Sequence, residues 1–278
     1  MSNNTILVTG ATGKTGRRVA AILRDRGHVV REASRPSEIR FDWGDPATWP
    51  AALHEVDAAY IVTPSVGDPA SADRFRDFGR LAVESGVTTA VLVSIPDDGG
   101  TDFAAVAEAE RQLSDAGLHL TILRLRWFNQ NFSEDFLAPA VVAGDLRLPA
   151  GDGKEAFVDA DDIAEVAVAA LTDDTHAGRA YEITGPRLLS FADVADELSK
   201  ATGRPIRYTP LSTERFVSEQ LAMGVSEDWA HLSADLYQGI ASGGLEIVTD
   251  HVEKVLGRPA RDFSSYAAAA AATGAWTQ

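Results

Sequence analysis

"VTGATGKTG", from Val8 to Gly16, lies between the apolar run "TILV" and the segment "GRRVAAILRDRG". The first run is typical of a short β-strand, and the second has the apolar spacing of an amphipathic helix that ends at Gly27. Glycines therefore fall in the turn between a strand and a helix. In such a turn Gly10 permits a tight bend, Gly13 lets the backbone approach a pyrophosphate, and Gly16 lets the helix pack closely. The phosphates then lie at the positively polarised helix N-terminus.

The same stretch resembles the end of a P-loop, G-x-x-x-x-G-K-[ST], at Gly13-Lys14-Thr15. A P-loop also needs a glycine where this chain has Val8, inside the strand, so a dinucleotide site is favoured over a nucleoside triphosphate site. The spacing G-x-x-G-x-x-G departs from G-x-G-x-x-G, and a glycine turn without a ligand is the other interpretation. The predicted cofactor contacts of the turn are Gly10, Thr12, Gly13, Lys14, Thr15 and Gly16.

The composition excludes several classes of function. The chain has 278 residues, no cysteine and a net charge of −16. Without cysteine there is no disulfide, thiol nucleophile or thiolate metal site, which suits a cytoplasmic protein. A strongly acidic surface repels a phosphate backbone, so we expect no nucleic-acid partner. We also expect no signal segment and no membrane partner, because no apolar run approaches the roughly 18 residues of a membrane span.

Strands and helices alternate through the first half of the chain, from "TILVTG" to "LHLTILRL". This order predicts the α/β class, with a doubly wound parallel Rossmann sheet. The pattern loosens after about residue 150. We therefore predict a Rossmann domain over 1–150 that binds NAD(P), and a smaller, mostly helical substrate and lid lobe over 151–278. Some segments of that lobe are expected to pack back on the Rossmann domain.

Several motifs along the chain together resemble the NmrA-like branch of the atypical short-chain dehydrogenases, above all its type 2 quinone oxidoreductases and ergot-alkaloid reductases. They are "VTGATGKTG", "VDAAYIVTP", "LRWFNQNFSEDF", "FVDADDIAEVAVAALTD", "HAGRAYEITGP" and "LSKATGRPIRY". The resemblance runs nearly from end to end. It implies NAD(P)H binding and a small substrate lobe. It does not fix an activity, because the family also includes regulators that sense the cofactor and catalyse nothing.

The tip of the second strand predicts which cofactor is bound. An acidic residue there bonds the ribose 2′-hydroxyl of NADH, whereas an arginine accommodates the 2′-phosphate of NADPH. Ser34-Arg35 occupies this tip, so NADPH is favoured. Glu32 lies two residues earlier on the same face as Ser34, and NADH stays possible if the strand ends sooner. The resemblance implies that Asp42 touches the adenine, although an ordinary turn aspartate is an equal alternative.

The ends of the next strands supply candidates for the nicotinamide half. The resemblance implies that Thr63, Pro64 and Ser65 run beside it. Ser94 stands where ordinary short-chain dehydrogenases place their catalytic serine. Those enzymes add a Tyr-x-x-x-Lys pair as proton donor, but no such pair occurs in this chain, and the corresponding segment reads Phe103-Ala-Ala-Val-Ala. The usual route from a simple ketone to an alcohol is therefore missing.

The candidate substrate residues are aromatic and amide side chains. Trp127, Phe128, Asn129 and Asn131 in "WFNQNF" suit a flat ring with polar edges, with core packing as the alternative. Further along, Trp229, His231 and Tyr237 lie in the expected lid, where His231 is a candidate proton donor. Ser94, Asn129 and His231 are the predicted catalytic residues.

We expect no metal site at Asp159, Asp161 and Asp162. They precede an apolar helix, and Asp162 with Glu165 is interpreted as a charged helix start of the capping-box kind.

Two functions remain at this point. The first is a reductase that transfers a hydride from NADPH to a quinone or another small, planar conjugated ring. An aromatic polyketide of secondary metabolism is one such ring, and its reduction might feed an oxygen-inserting step. The second is a non-catalytic sensor or scaffold that binds NADP(H) and docks on a protein partner.

Overall fold

Strands and helices alternate along most of the chain. The computed structural model describes residues 4–62, 70–96, 101–244 and 246–277, and for residues 101–103 the backbone alone. The strands are β1 (Thr5–Thr9), β2 (Val29–Ser34), β3 (Ile39–Arg40), β4 (Ala58–Ile61), β5 (Thr89–Ser94), β6 (His119–Leu125), β7 (Asp145–Leu148), β8 (Lys154–Glu155), β9 (Ala180–Ile183), β10 (Leu189–Ser190) and β11 (Arg207–Pro210). The helices are α1 (Gly16–Asp25), α2 (Trp49–Leu53), α3 (Ser71–Glu84), α4 (Thr101–Ser114), α5 (Asn131–Glu134), α6 (Ala138–Ala143), α7 (Ala160–Thr172), α8 (Phe191–Thr202), α9 (Thr213–Ala222), α10 (Glu227–Ala241), α11 (His251–Leu256) and α12 (Phe263–Ala272).

Seven of these strands form one parallel sheet, in the order β3-β2-β1-β4-β5-β6-β9. The order reverses between β1 and β4, because the chain first winds outward through β2 and β3 and then returns to the other side of β1. Ligands of such sheets bind beyond the carboxyl ends of the strands at this reversal. The predicted doubly wound Rossmann fold is confirmed.

The chain divides into two units. Unit 1 contains Met1–Leu125, Ala160–Ile183 and His251–Arg258, and unit 2 contains Arg126–Asp159, Thr184–Asp250 and Pro259–Gln278. This division differs from a single boundary at residue 150. Residues 126–150 belong to unit 2 because the sheet of unit 1 receives β6 up to Leu125 and then β9 from much later in the chain.

The core of unit 1 contains a cluster of aromatic side chains under the first strands of the sheet. Phe41, Trp43, Trp49, Phe75 and Phe78 are buried there, with ring centroids 5.0–5.9 Å apart. The indole N–H of Trp43 donates to the carbonyl oxygen of Val62 at 2.9 Å, just after β4. The cluster therefore also fixes the backbone at the carboxyl end of β4.

Unit 2 is mostly helical and has an aromatic core of its own. Phe132, Phe157, Phe191, Tyr237 and Phe263 are buried in it. Its strands pair two by two, β7 with β11 and β8 with β10. The alanine run at the end of the chain lies in α12, as predicted from its high helix propensity. Within the described ranges, no helix is long and apolar enough to cross a membrane.

Candidate functional site

The glycine turn after β1 has the geometry of a phosphate cradle. Gly10 has a φ of +61°, in the left-handed region that favours glycine. The amide of Gly13 donates to the carbonyl oxygen of Gly10 at 2.8 Å, which closes the turn. A Cβ on Gly16 would collide with that same carbonyl group. A Cβ on Gly13 would lie 3.1 Å from it, so Gly13 is restricted less by the turn itself and is exposed.

The threonine just before this turn joins the two strands at the reversal of the sheet. The Thr9 hydroxyl donates to the carbonyl oxygen of Tyr60 at 3.1 Å and accepts from the amide of Val62 at 2.8 Å. It therefore holds the carboxyl ends of β1 and β4 together. Sequence analysis missed Thr9, because a threonine at the end of a β-branched strand carries no signal of this role. Val62 also lies against Gly10, where an added Cβ would be 3.3 Å from the valine Cβ.

The other residues of the turn differ in exposure. Thr12 is exposed beside Gly10, and the carbonyl oxygen of Lys14 accepts from the guanidinium of Arg18 at 2.8 Å. Thr15 is buried beside the hydroxyl of Tyr60. Burial raises the pKa of that phenol, which stays neutral. Contacts of these residues with a cofactor stay a prediction.

A cleft of about 240 Å³ lies at the carboxyl ends of β1, β2 and β4. It is lined by Gly10, Thr12, Ser34, Arg35, Pro36, Phe41, Asp42, Trp43 and Val62. Strand β2 ends at Ser34, so Arg35 is its tip, and the Arg35 side chain makes no ion pair with any residue in the described part of the chain. Glu32, the alternative, is paired with Arg24 of α1 at 2.8 Å. The arginine rather than the glutamate is thus available to a ligand.

Asp42 lies in the same cleft and also shapes its own turn. Its Oδ1 accepts from the amide of Gly44 at 2.9 Å, and its carbonyl oxygen accepts from the indole of Trp49 at 3.0 Å. The turn role and an adenine contact are compatible, because one face of Asp42 still lines the cleft.

The predicted residues of the nicotinamide half are only partly described. Thr63, Pro64 and Ser65 lie outside the described residues. Ser94 is buried, and its hydroxyl donates to Oε1 of Glu110 at 2.6 Å. Glu110 is itself buried and pairs with Arg124, the residue opposite Ser94 in the neighbouring strand, at 2.7 Å. The hydroxyl proton of Ser94 is therefore directed at Glu110 in this arrangement.

Trp127 lies in an aromatic cluster of unit 2. Its ring is 5.0 Å from that of Tyr237, 6.1 Å from that of Phe136 and 6.4 Å from that of Phe191, and it is only partly buried. Phe128 forms a β-bridge with Val158. Since Phe136 is also exposed, Trp127 and Phe136 offer aromatic surface to a ligand.

The amides after Trp127 converge on one buried carboxylate. Asn129 Nδ2 lies 3.5 Å from Asp159, and Gln130 Nε2 donates to it at 3.2 Å. A carboxylate only accepts hydrogen bonds, so both amides must turn their NH₂ groups toward it. Asn129 Oδ1 has no hydrogen-bond partner in the described ranges, so this amide offers a ligand an acceptor rather than a donor. Asn131 begins α5, and its carbonyl oxygen accepts from the amide of Leu137.

The three residues of the expected lid have different environments on α10. Tyr237 is buried against Trp127, and burial raises the pKa of its phenol. Trp229 and His231 are exposed, and His231 lines a groove with Val217 and Leu221. The structure thus brings Tyr237, but neither Trp229 nor His231, into the aromatic cluster.

The aspartates at the start of α7 form ion pairs. Asp161 accepts from Arg18 at 2.7 Å, and Arg258 donates to both Asp162 and Glu165 at 2.7 Å. The predicted charged helix start is confirmed, because Asp161 and Asp162 lie in the first turn of α7. The helix begins at Ala160, so Asp162 lies inside it rather than at its cap, and Asp162 and Glu165 share one guanidinium.

A doubly wound sheet with a glycine turn at its reversal and an arginine after β2 defines a dinucleotide-binding protein. Residues 2–266 match the NmrA-like family, and the chain belongs to that family.

Two curated relatives and one solved structure are similar over almost the whole chain. The chain is 36% identical to an NAD(P)H azoreductase of Xenophilus azovorans, over 96% of this chain and 98% of the relative. It is 34% identical to a (4-alkanoyl-5-oxo-2,5-dihydrofuran-3-yl)methyl phosphate reductase of Streptomyces griseus, over 95% and 96%. An NADPH-dependent quinone oxidoreductase of Escherichia coli, solved with NADPH, is 26% identical with a TM-score of 0.76, over 95% of this chain and 99% of that one. The predicted family and the general class, an NAD(P)H-dependent reductase, are confirmed.

Proposed function

We propose that this protein reduces electron-poor conjugated rings, quinones first, with NADPH as the hydride donor. The observation that carries the proposal is the tip of β2, where Arg35 is exposed in the cleft and makes no ion pair with the described residues, whereas Glu32 is held by Arg24. A guanidinium at this position suits the 2′-phosphate of NADPH.

The residues of unit 1 fit the cofactor from its phosphates to its adenine end. The exposed Gly13 leaves room for the pyrophosphate, which the amides at the start of α1 would bind. Asp42 and Arg35 line the same cleft, at the side of β2 where the adenosine half lies in this fold. Aromatic side chains behind the cleft hold these backbone positions in place.

We infer the substrate class from the Tyr-x-x-x-Lys pair that is missing from the sequence and from the proton donors of the described residues. Hydride addition to an isolated ketone creates an alkoxide that needs a nearby donor. No Tyr-x-x-x-Lys pair exists to protonate it, and the protons of Ser94 and Asn129 point at Glu110 and Asp159. When bound, NADPH supplies a hydride which, with one proton from solvent, turns a quinone into a hydroquinone and leaves NADP⁺. The ring itself delocalises the negative charge that forms, so this acceptor suits a site that lacks the Tyr-x-x-x-Lys pair.

The proposed ring contacts come from unit 2. Trp127 is partly exposed, and its orientation is fixed by Tyr237 and Phe191, so a planar substrate can stack on it without reordering the cluster. Phe128 and Asn131 follow it in the sequence and are proposed as further contacts. The names of the azoreductase and quinone oxidoreductase relatives support a small aromatic acceptor.

A hydroquinone can react with oxygen, so we extend the proposal to a product that enters an oxygen-inserting step. Three statements stay predictions: the oxygen-inserting step, an aromatic polyketide as the natural substrate, and a cytoplasmic location.

The deciding experiment follows NADPH oxidation with a panel of naphthoquinones, azo dyes and unactivated ketones. We expect turnover with quinones and none with ketones, and Phe103→Tyr should not create ketone reduction. The proposal would be refuted if the protein rapidly reduced an unactivated ketone and did not reduce any of the quinones. Tight NADPH binding without oxidation by any acceptor would favour the sensor or scaffold instead.

A further inference from the structure

Unit 2 contains a cavity of about 600 Å³, lined by residues from the end of α6, the end of α8 and its exit, and the end of α12 with the segment that follows it. None of the described residues that line it belongs to the aromatic cluster around Trp127. Sites for small molecules have volumes of roughly 300–1,000 Å³, so this cavity is large enough for an organic ligand.

The apolar part of the lining comes from three helices and one tryptophan. Val142 lies near the end of α6, Ala201 near the end of α8 and Ala271 near the end of α12, and all three are partly buried against the core of unit 2. Trp276 follows α12 and is buried, and its indole N–H donates to the carbonyl oxygen of Phe132 at 2.7 Å. This hydrogen bond fixes the ring, so the apolar wall is formed before a ligand binds.

Arg204 is the charged residue of the lining. Its Nη2 donates to the carbonyl oxygen of Val141 at 2.6 Å, near the C-terminal end of α6, and it makes no ion pair with any residue in the described part of the chain. The contact caps the helix and fixes the guanidinium, but it uses one N–H of five. Nη2 has two protons, one on each of the two edges with which a guanidinium can bind a carboxylate. One complete edge of Arg204 therefore remains for a ligand.

The other polar groups of the lining have already used their protons. The hydroxyl of Thr202 donates to the carbonyl oxygen of Leu198 at 2.8 Å, and that of Thr277 donates to the carbonyl oxygen of Gly274 at 2.7 Å. The N–H groups of Arg204 are thus the donors that the described lining offers. A ligand needs a hydrogen-bond acceptor here, and an anionic one suits a permanently charged guanidinium best.

We propose that this cavity binds a small monocarboxylate with an apolar body. A carboxylate matches one planar edge of a guanidinium with two hydrogen bonds, and the apolar wall removes the body of the ligand from water. A phosphate dianion fits less well, because a single guanidinium beside an apolar wall would leave most of its oxygens without partners. The site is independent of the proposed reductase function, since none of the described lining residues is a proposed contact of NADPH or the quinone.

Isothermal titration calorimetry with octanoate and its uncharged counterpart octanamide tests the ligand class. Octanoate has no ring that could stack on Trp127. We expect it to bind with a dissociation constant on the order of 0.1–1 mM, and octanamide to bind at least about tenfold more weakly. Added salt should weaken the binding of octanoate, because the contact is between two charges.

Two substitutions test the location. Arg204→Gln removes the charge and should weaken octanoate binding at least about tenfold. Ala271→Leu keeps Arg204 but fills part of the cavity, and should weaken octanoate binding as well. Arg207→Gln is the matched control, because it removes the same charge on β11 from a side chain that is 76% exposed, pairs with Asp145 and does not line the cavity. It should leave octanoate binding unchanged.

Thermal melts followed by circular dichroism check that each variant is folded, since Arg204→Gln also removes the cap at Val141. Arg204→Lys keeps the charge without the planar edge and should bind octanoate with intermediate affinity. No binding of octanoate, equal binding of octanoate and octanamide, or wild-type affinity in Arg204→Gln or Ala271→Leu would each overturn the proposal. Loss of octanoate binding in Trp127→Ala or Arg35→Ala would assign the ligand to another site, and displacement of octanoate by an equal concentration of inorganic phosphate would contradict the ligand class.

Discussion

Arg35→Ala should change the cofactor preference of this reductase without harming its fold. The side chain is exposed at the rim of the cleft and makes no ion pair with the described residues, so its removal leaves no buried charge behind. A charge-assisted contact with a phosphate contributes about 1.5–3 kcal/mol. Because each 1.4 kcal/mol is roughly tenfold in affinity, NADPH binding should weaken by about ten- to a hundredfold. Exposure and salt screening favour the lower end.

The assay is a titration of both cofactors, by fluorescence or calorimetry, at two salt concentrations. NADH affinity should change little, since NADH has no 2′-phosphate. Arg40→Ala is the matched control: it removes the same charge from the end of β3, where Arg40 lies 3.9 Å from both Asp42 and Asp45. Equal weakening of NADPH and NADH by Arg35→Ala, or a larger effect of Arg40→Ala on NADPH, would refute the assignment.

Three further predictions concern the cradle, the substrate and the end of the chain. Gly13→Val should abolish NADPH binding in a protein whose circular dichroism spectrum is unchanged, and normal NADPH binding by this variant would contradict the site. Gly16→Ala should instead lower the melting temperature, because the added Cβ collides with the backbone of the turn. Trp127→Ala should lower quinone turnover and leave NADPH affinity unchanged. Steady-state kinetics measure the first and a binding titration the second, and an equal loss of both would contradict the prediction. The Arg187 guanidinium, with Ser264, holds the pKa of Asp262 in the folded protein well below its usual range. This ion pair therefore stabilises the fold fully at pH values above the ordinary carboxyl pKa of about 4. Its contribution is lost as the pH falls toward the lower pKa that Asp262 has in the folded protein. Asp262→Asn should therefore lower the free energy of unfolding by about 1–3 kcal/mol at pH 7. Denaturant titrations should show that this difference from the wild type becomes smaller toward pH 2. An equal difference at pH 7 and pH 2 would contradict the prediction.

The sheet could be predicted from the sequence because its signals are local. Apolar runs, each followed by a helical pattern, identify β1, β2, β4, β5 and β6 one at a time. The strands β3, β8 and β10 were missed because two residues carry no periodicity, and β7 was missed because its four residues alternate polar and apolar without an apolar run. The return of β9 to the edge of the sheet is a long-range pairing, and no local pattern shows it.

The features of the candidate site could be predicted where the backbone geometry requires one residue type. They could not be predicted where the role of a side chain depends on its hydrogen-bond or ion-pair partner. The turn at Gly10 and the position of Arg35 at the tip of β2 could be predicted, because the left-handed turn favours glycine and the end of β2 follows from its apolar run; their contacts with a cofactor stay predictions. Glu110 was missed, because a glutamate in "AVAEAERQ" looks like a solvated helix charge. The signal that could have found it is Arg124, a charge within an otherwise apolar strand, which needs a buried partner. The orientation of the Asn129 amide likewise depends on Asp159, thirty residues away.

The discontinuous path of the chain limits how this protein can be cut and recombined. Unit 1 takes its edge strand β9 and helix α7, which packs on α1, from residues 160–183, and helix α11 from residues 251–258. An N-terminal fragment that ends after β6 would expose the edge of β6 and the bare flank of α1, and such unpaired edges promote aggregation. During synthesis, unit 1 must wait for residue 258 before its last helix can dock. A chimaera that exchanges unit 2 with that of a relative therefore needs junctions at 125/126, 159/160, 183/184, 250/251 and 258/259, and a single crossover would leave both units incomplete.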